Sequence, residues 1–221
     1  MKTKNLLLFL VIIAISFGAC KKDNKGSDLL DENGLTPAIN NIVPDAILQE
    51  MKTLGMPINT GALPPSLVNT YLASPFILKA SNRTGDYAGQ SFSDYRVTLS
   101  SQNNTNLSIS LSYVNGPESG SGIGAFISGD GNNFSVFAKV SSTYNGTNAD
   151  MLHVISGTLT SGGISNFYFA NFMLDNYGNP GGIWIAIGEG RIIYDSDGFS
   201  PIVTSMKSKE LNTKGSGAGG K

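Results

Sequence analysis

The chain has one cysteine, one histidine and one tryptophan in 221 residues, and only 14% of it is charged. Each shortage closes off a class of protein. A single thiol, Cys20, cannot form a disulfide within the chain, so a folded domain here rests on its hydrophobic core alone. A single imidazole, His153, is the one base a Ser-His-Asp or Cys-His site would have to use, and a histidine zinc site normally wants more than one such ligand. His153 lies in Met151-Leu152-His153-Val154-Ile155, where the plain expectation is a strand residue facing solvent or satisfied in the core. Charged residues fall well short of the usual ~25%, and Gly, Ser, Asn and Thr take their place. That balance is common in extracellular β-rich domains, whose turns and solvated faces small polar residues can serve. The chain also lacks a basic stripe and has a net charge of −1, which excludes a nucleic-acid partner of the usual kind.

The N-terminus holds the strongest signal. Met1-Lys2-Thr3-Lys4 is a short basic start, Leu6 to Phe17 is an almost unbroken apolar run, and Gly18-Ala19-Cys20 precedes Lys21-Lys22-Asp23. This is the order of a charged region, an apolar region and small residues at a cut site. It resembles the signal peptide of bacterial lipoproteins, whose lipobox ends in two small residues and a cysteine. The resemblance implies cleavage between Ala19 and Cys20, a diacylglycerol on the Cys20 thiol and acylation of the new amine. It thus implies attachment to the outer membrane by lipid, on its periplasmic or cell-surface side. Lys21-Lys22-Asp23 is partly similar to the charged signal that sends some Bacteroidota lipoproteins to the cell surface. The alternatives are an ordinary secretory signal and a transmembrane helix. For the latter, Leu6 to Ala19 gives about 14 residues against the ~20 needed to span a bilayer. Without residues 1–19 the chain loses Lys2 and Lys4 from its 15 basic residues and keeps all 16 acidic ones, a net charge near −3.

Residues 20–41 read as the acylated cysteine and a flexible tether, polar and weakly periodic. Residues 42–204 read as one β-rich domain with a short N-terminal helix. Residues 205–221, rich in Lys, Gly and Ser, read as a disordered tail. The helix is expected over Val43 to Leu54: Pro44 suits the first turn, Ile47, Leu48, Met51 and Leu54 form one apolar stripe, and Gly55 and Pro57 end it.

Beyond Leu72 the period falls to two. Tyr95-Val97-Leu99 and Leu107-Ile109-Leu111-Tyr113 alternate with polar neighbours, as half-buried strands do. Further strands are expected at Ile123 to Ser128 and Phe134 to Ser141, around the turn residues Gly129-Asp130-Gly131-Asn132. Met151 to Thr160, Ile164 to Leu174, Ile183 to Ile187 and Arg191 to Tyr194 complete about eight. The fold expected is all-β, an antiparallel meander closed as a lipocalin-like barrel or split into a two-sheet sandwich.

Chemistry is thinly signalled. Asp195-Ser196-Asp197-Gly198 and Asp130-Gly131-Asn132-Asn133 resemble fragments of calcium loops but equally fit β-turns. The carboxylates Asp94, Glu118, Asp130, Asp150, Asp175, Glu189, Asp195 and Asp197 fall mostly at strand ends and turns, where acids are expected anyway. Glu189 and Arg191 should share one strand face, as a solvated pair or lining a barrel mouth. Phe167 and Phe169 should share a face with Asn171, and Tyr168 and Phe172 the other, so this strand is apolar on both sides. Trp184, expected on a strand beside Ala186 and Gly188, gives the best hint of a pocket, with core packing the plainer reading. The weak ligand-binding set is therefore Trp184, Phe167, Phe169 and Tyr168, with no catalytic residue, no metal and no cofactor. The function expected is a non-enzymatic envelope module for a small apolar ligand. The alternative is a glycan- or protein-binding sandwich presenting Tyr113, Tyr144, Tyr177 or Trp184.

Overall fold

Pairing along the chain is dominated by four long strands joined by tight hairpins: β7 (Glu118–Asp130), β8 (Asn133–Tyr144), β9 (Thr147–Leu159) and β10 (Gly163–Asp175). They belong to a computed structural model that describes residues 30–204. The expected signal peptide, Cys20 and the tail 205–221 lie outside the described residues, as does the tether up to residue 29. The full set adds β1 (Ala62–Leu63), β2 (Asn69–Ala73), β3 (Phe76–Ser81), β4 (Ser91–Phe92), β5 (Tyr95–Asn103), β6 (Ser108–Asn115), β11 (Gly190–Asp195) and β12 (Phe199–Pro201).

The all-β expectation holds, but the simple meander of about eight strands does not. The sheet has 12 strands, ten of them in the order β2-β5-β6-β7-β8-β9-β10-β11-β3-β4, with β1 and β12 off this path. Strands β5 to β11 follow one another, while β2 pairs with β5 and β3 with β11. Pro75, which has no N–H to donate, separates β2, at one end of this order, from β3, which lies between β11 and β4 at the other. The sheet is also mixed: β1 runs parallel to β7, with Ala62 opposite Gly129. Strands of two residues, such as β1 and β4, carry no period to read. β12 pairs with β10, and beyond it Ile202 bridges Tyr71 and Val203 N–H donates to Thr70 O at 2.9 Å. The hydrogen-bonded path therefore returns from β10 to β2.

Alternation along each strand separates two faces. Inward go Tyr71, Phe76, Tyr95, Val97, Leu111, Tyr113, Phe134, Val136, Ile155, Phe167 and Phe169, all buried in one cluster. Outward from β8–β11 go Phe137, Leu152, Val154, Phe172 and Ile192, which form a second cluster with the helices. Two helices stand where one was expected. α2 (Asp45–Thr53) buries Leu48 and Met51, as its stripe requires. α1 (Pro37–Ile42) precedes it, all but its last residue inside the stretch read as tether. Thr36 caps α1 by accepting from Ile39 N–H at 3.3 Å, and Pro37 fits its first turn. Six residues are too few for a visible stripe, yet Ile39 is fully buried against the sheet. Each large apolar side chain so covered contributes about 1.5–3 kcal/mol.

Ile183 to Ile187 is not a strand. Gly181, Gly182 and Gly188 have φ of 81°, 64° and 83°, outside the extended region. The Asn179 amide donates to Trp184 O at 2.7 Å and accepts from Trp184 N–H at 2.8 Å. One side chain thus satisfies both backbone groups that a ladder would otherwise pair, and the segment folds back as a loop.

Candidate functional site

The inward stripes turn polar as they approach one pole of the sheet, where the β6–β7, β8–β9 and β10–β11 connections gather. On β6 the series Ile109-Leu111-Tyr113 continues to Asn115. On β8 Val140 is followed by Ser142 and Tyr144. On β10 Phe169 is followed by Asn171, and on β11 Ile193 is preceded by Arg191. Glu118 lies opposite Tyr144 in the β7–β8 ladder and so belongs to the same face. Asn115, Glu118, Tyr144, Asn171 and Arg191, with Phe92, Met151 and Trp184, line a cleft of about 500 Å³ open at that pole. Beneath it a chamber of about 50 Å³ is bounded by Tyr95, Tyr113, His153 and Phe169 and shares Glu118, Asn171 and Arg191 with the cleft.

The polar groups of the chamber form a chain. Tyr113 Oη donates to Glu118 Oε1 at 2.5 Å and lies 2.6 Å from Ser142 Oγ. Its one proton goes to the carboxylate, so the serine hydroxyl donates to it. Burial raises the Glu118 carboxyl above its ordinary range, against the pull of the Tyr113 hydrogen bond and the Arg191 charge. Burial also raises the Tyr95 and Tyr113 phenols, with Glu118 adding to the shift. His153 is 1% exposed, enclosed by the rings of Tyr113, Phe169 and Tyr95 at centroid distances of 4.6, 4.7 and 6.2 Å. Its Nδ1 is 3.4 Å from Tyr95 Oη, and burial lowers its pKa to about 3. It is neutral at any ordinary pH. The room for Tyr113 comes from Gly120: a Cβ there would sit 2.8 Å from Tyr113 Cε1.

Arg191 is held at the cleft wall by Asp86, whose side chain is 1% exposed, at 2.7 and 3.1 Å. The arginine hydrogen bond is the main reason that the Asp86 carboxyl falls to about 2. Arg83 adds a third contact to Asp86 at 3.0 Å and reaches Glu189 at 3.6 Å. Glu189 and Arg191 therefore do not form the pair expected of one strand face. Glu189 precedes β11 and accepts from Ala186 N–H at 2.9 Å.

Of the expected ligand residues, Trp184 stands in the cleft wall, edge-on to Tyr144 at 6.1 Å, though from a loop instead of a strand. Phe169 bounds the chamber, and Phe167 packs deeper against Tyr95. Tyr168 is turned to the outer face, stacked on Tyr194 with Lys79 Nζ 4.5 Å from its ring centroid, and takes no part in the cleft. Of the expected platform residues, Tyr113 is buried and Tyr177 is exposed outside the cleft, while Tyr144 lines it. Asn115 and Asn171 were not singled out as ligand residues. Extending each period-two stripe to its turn would have found them. The calcium-like fragments serve as turns. Asp195 is buried and accepts from Ser200 Oγ and Ser74 N–H, and Asp197 accepts from Phe199 N–H. Asp130-Gly131 closes the β7–β8 hairpin.

Among the described residues no group of three His, Cys, Asp or Glu side chains is placed to hold a metal ion, and no helix is long and apolar enough to cross a membrane. No family model, curated protein or solved structure matches the chain.

Proposed function

We propose that this chain is a lipid-anchored, non-enzymatic binding module of the cell envelope whose ligand sits in the polar-aromatic cleft. The observation that carries the reading is the contrast between pole and interior. The returning strand path supports a closed barrel over a two-sheet sandwich, and aromatic side chains fill that barrel. Space is found at its mouth, in a volume typical of small-molecule sites at ~300–1,000 Å³. The lining supplies apolar ring faces from Phe92, Tyr144 and Trp184 and hydrogen-bonding groups from Asn115, Glu118 and Asn171. Such a wall suits a ligand with both an apolar face and polar groups better than the wholly apolar ligand that a greasy lumen would take. The one histidine lies beneath the cleft with its Nδ1 toward the Tyr95 phenol and its ring enclosed by aromatic side chains, which supports a binding role for the cleft.

The test is native mass spectrometry of the full-length protein extracted in detergent from its source envelope. The expected spectrum shows loss of residues 1–19, acyl mass on Cys20 and a further discrete mass that leaves on denaturation. An unmodified Cys20 ends the anchor reading. A clean acylated apo mass moves the function from small-ligand binding to recognition of an envelope protein.

A further inference from the structure

Three buried polar atoms around the cleft and chamber have no hydrogen-bond partner within the protein: Trp184 Nε1, Asn171 Oδ1 and His153 Nε2. Trp184 and His153 are 9% and 1% exposed, so neither is bathed by bulk solvent. An unpaired buried polar atom costs about 1–3 kcal/mol, and a site that keeps several of them in one place is built to be completed by something that enters it.

The three atoms define what that must be. The indole N–H can only donate, and the asparagine Oδ1 can only accept. The His153 ring is neutral, and its Nε2 donates or accepts according to the tautomer that Tyr95 selects. A hydroxyl group donates one proton and accepts others. With the Nε2–H tautomer, in which Tyr95 Oη donates to Nδ1, one hydroxyl donates to Asn171 Oδ1 and accepts from His153 Nε2, and a second one accepts from Trp184 Nε1. A carboxylate or phosphate cannot serve Asn171 Oδ1, and an ammonium cannot serve Trp184 Nε1. The charged groups at the cleft point the same way. Arg191 is already tied through two nitrogens to Asp86, and the Glu118 carboxyl is tied to Tyr113. The wall therefore presents no free ion to a charged ligand. Phe92, Tyr144 and Trp184 add apolar ring faces, which match the C–H face of a sugar ring.

Resting on the reading of the cleft as a small-ligand site, we infer that its ligand is an uncharged saccharide, one of whose hydroxyl or hydroxymethyl groups enters the chamber between Asn171 Oδ1 and His153 Nε2. The chamber, at about 50 Å³, has room for such a group, or for the one or two waters it displaces, and for nothing larger.

Trp184 is the sole tryptophan and stands in the wall, so its fluorescence reports the cleft directly. The full chain in detergent is titrated with a panel of neutral mono- and disaccharides, with glucuronate and with decane-1-ol. The expected result is a saturable shift with at least one neutral sugar and none with glucuronate. Asn171→Leu, which keeps volume and removes the acceptor, should weaken that sugar at least tenfold, as should His153→Phe, which fills the chamber. Lys52→Ala on the exposed face of α2 should change nothing. Circular dichroism checks that each variant folds, and Asn171→Leu alone decides if His153→Phe does not. Sugar binding unaffected by Asn171→Leu overturns the placement in the chamber and leaves the cleft as the site. Response to decane-1-ol alone overturns the saccharide inference and leaves a small-ligand cleft. Silence toward every probe overturns both.

Discussion

His153 couples this fold to acid. Its folded pKa of about 3 lies below the ~6.5 of an unfolded histidine. Between those values the unfolded chain binds the extra proton, so stability falls as pH drops, by up to about 1.4 kcal/mol per pH unit. Glu118 acts in the opposite sense. Its folded carboxyl keeps its proton to higher pH than an unfolded one, so its contribution declines as pH rises through and above the ordinary carboxylate range. Urea unfolding at a series of pH values should show His153→Phe losing much of the slope between pH 6 and 4; an unchanged slope would assign the acid sensitivity to carboxylates alone. Gly120 is a second single-residue constraint. An added methyl would approach Tyr113 Cε1 at 2.8 Å and Ser141 O at 2.5 Å, and the latter is backbone that cannot swing away. Gly120→Ala should cost about 1–3 kcal/mol in chemical denaturation. Nothing in the sequence distinguishes this glycine from its 26 fellows, because the close approach exists only once β6, β7 and β8 are side by side.

The elements with long periods were legible, and those defined by a single side chain were not. β5 and β6 alternate cleanly, and β10 is apolar on both faces as expected: Phe167 and Phe169 face the interior while Ala170 and Phe172 meet the helices. The Trp184 loop was read as a strand because Ile183, Ile185 and Ile187 alternate; the Asn179 side chain and three glycines outweigh that pattern. Asn179→Ala should free the loop locally at a cost of about 1–2 kcal/mol. The expected readout is a red shift of Trp184 emission with little movement of the global unfolding midpoint. If the emission stays put, apolar contacts and not the amide hold the loop. α1 was hidden for a different reason: its cap pair Thr36-Pro37 is visible, but six residues cannot display an amphipathic face.

For the molecule as a whole, closure of the strand path rests on few bonds. Among the described residues, the Tyr71–Ile202 bridge and the Val203 N–H to Thr70 O bond join the end of the path to β2. Val203→Pro removes that donor and should speed amide exchange in β2 and β12 well before β7 to β10 are affected. Equal acceleration everywhere would mean that the seam and the long hairpins open as one unit. The sequence could not show this seam, since it pairs residues 131 positions apart across a segment without a period. The same geometry fixes where the described chain enters and leaves. Gly34 O accepts from Gly61 N–H and Ser128 Oγ, beside the β7–β8 hairpin, and Val203 leaves along β2 toward the same pole. The cleft opens at the other pole. A chain held by lipid at Cys20 has at most ~35 Å of backbone before residue 30, so the bilayer would lie under the closed base of the domain. The mouth would then look outward into the aqueous space, reachable by solutes too polar ever to enter the membrane.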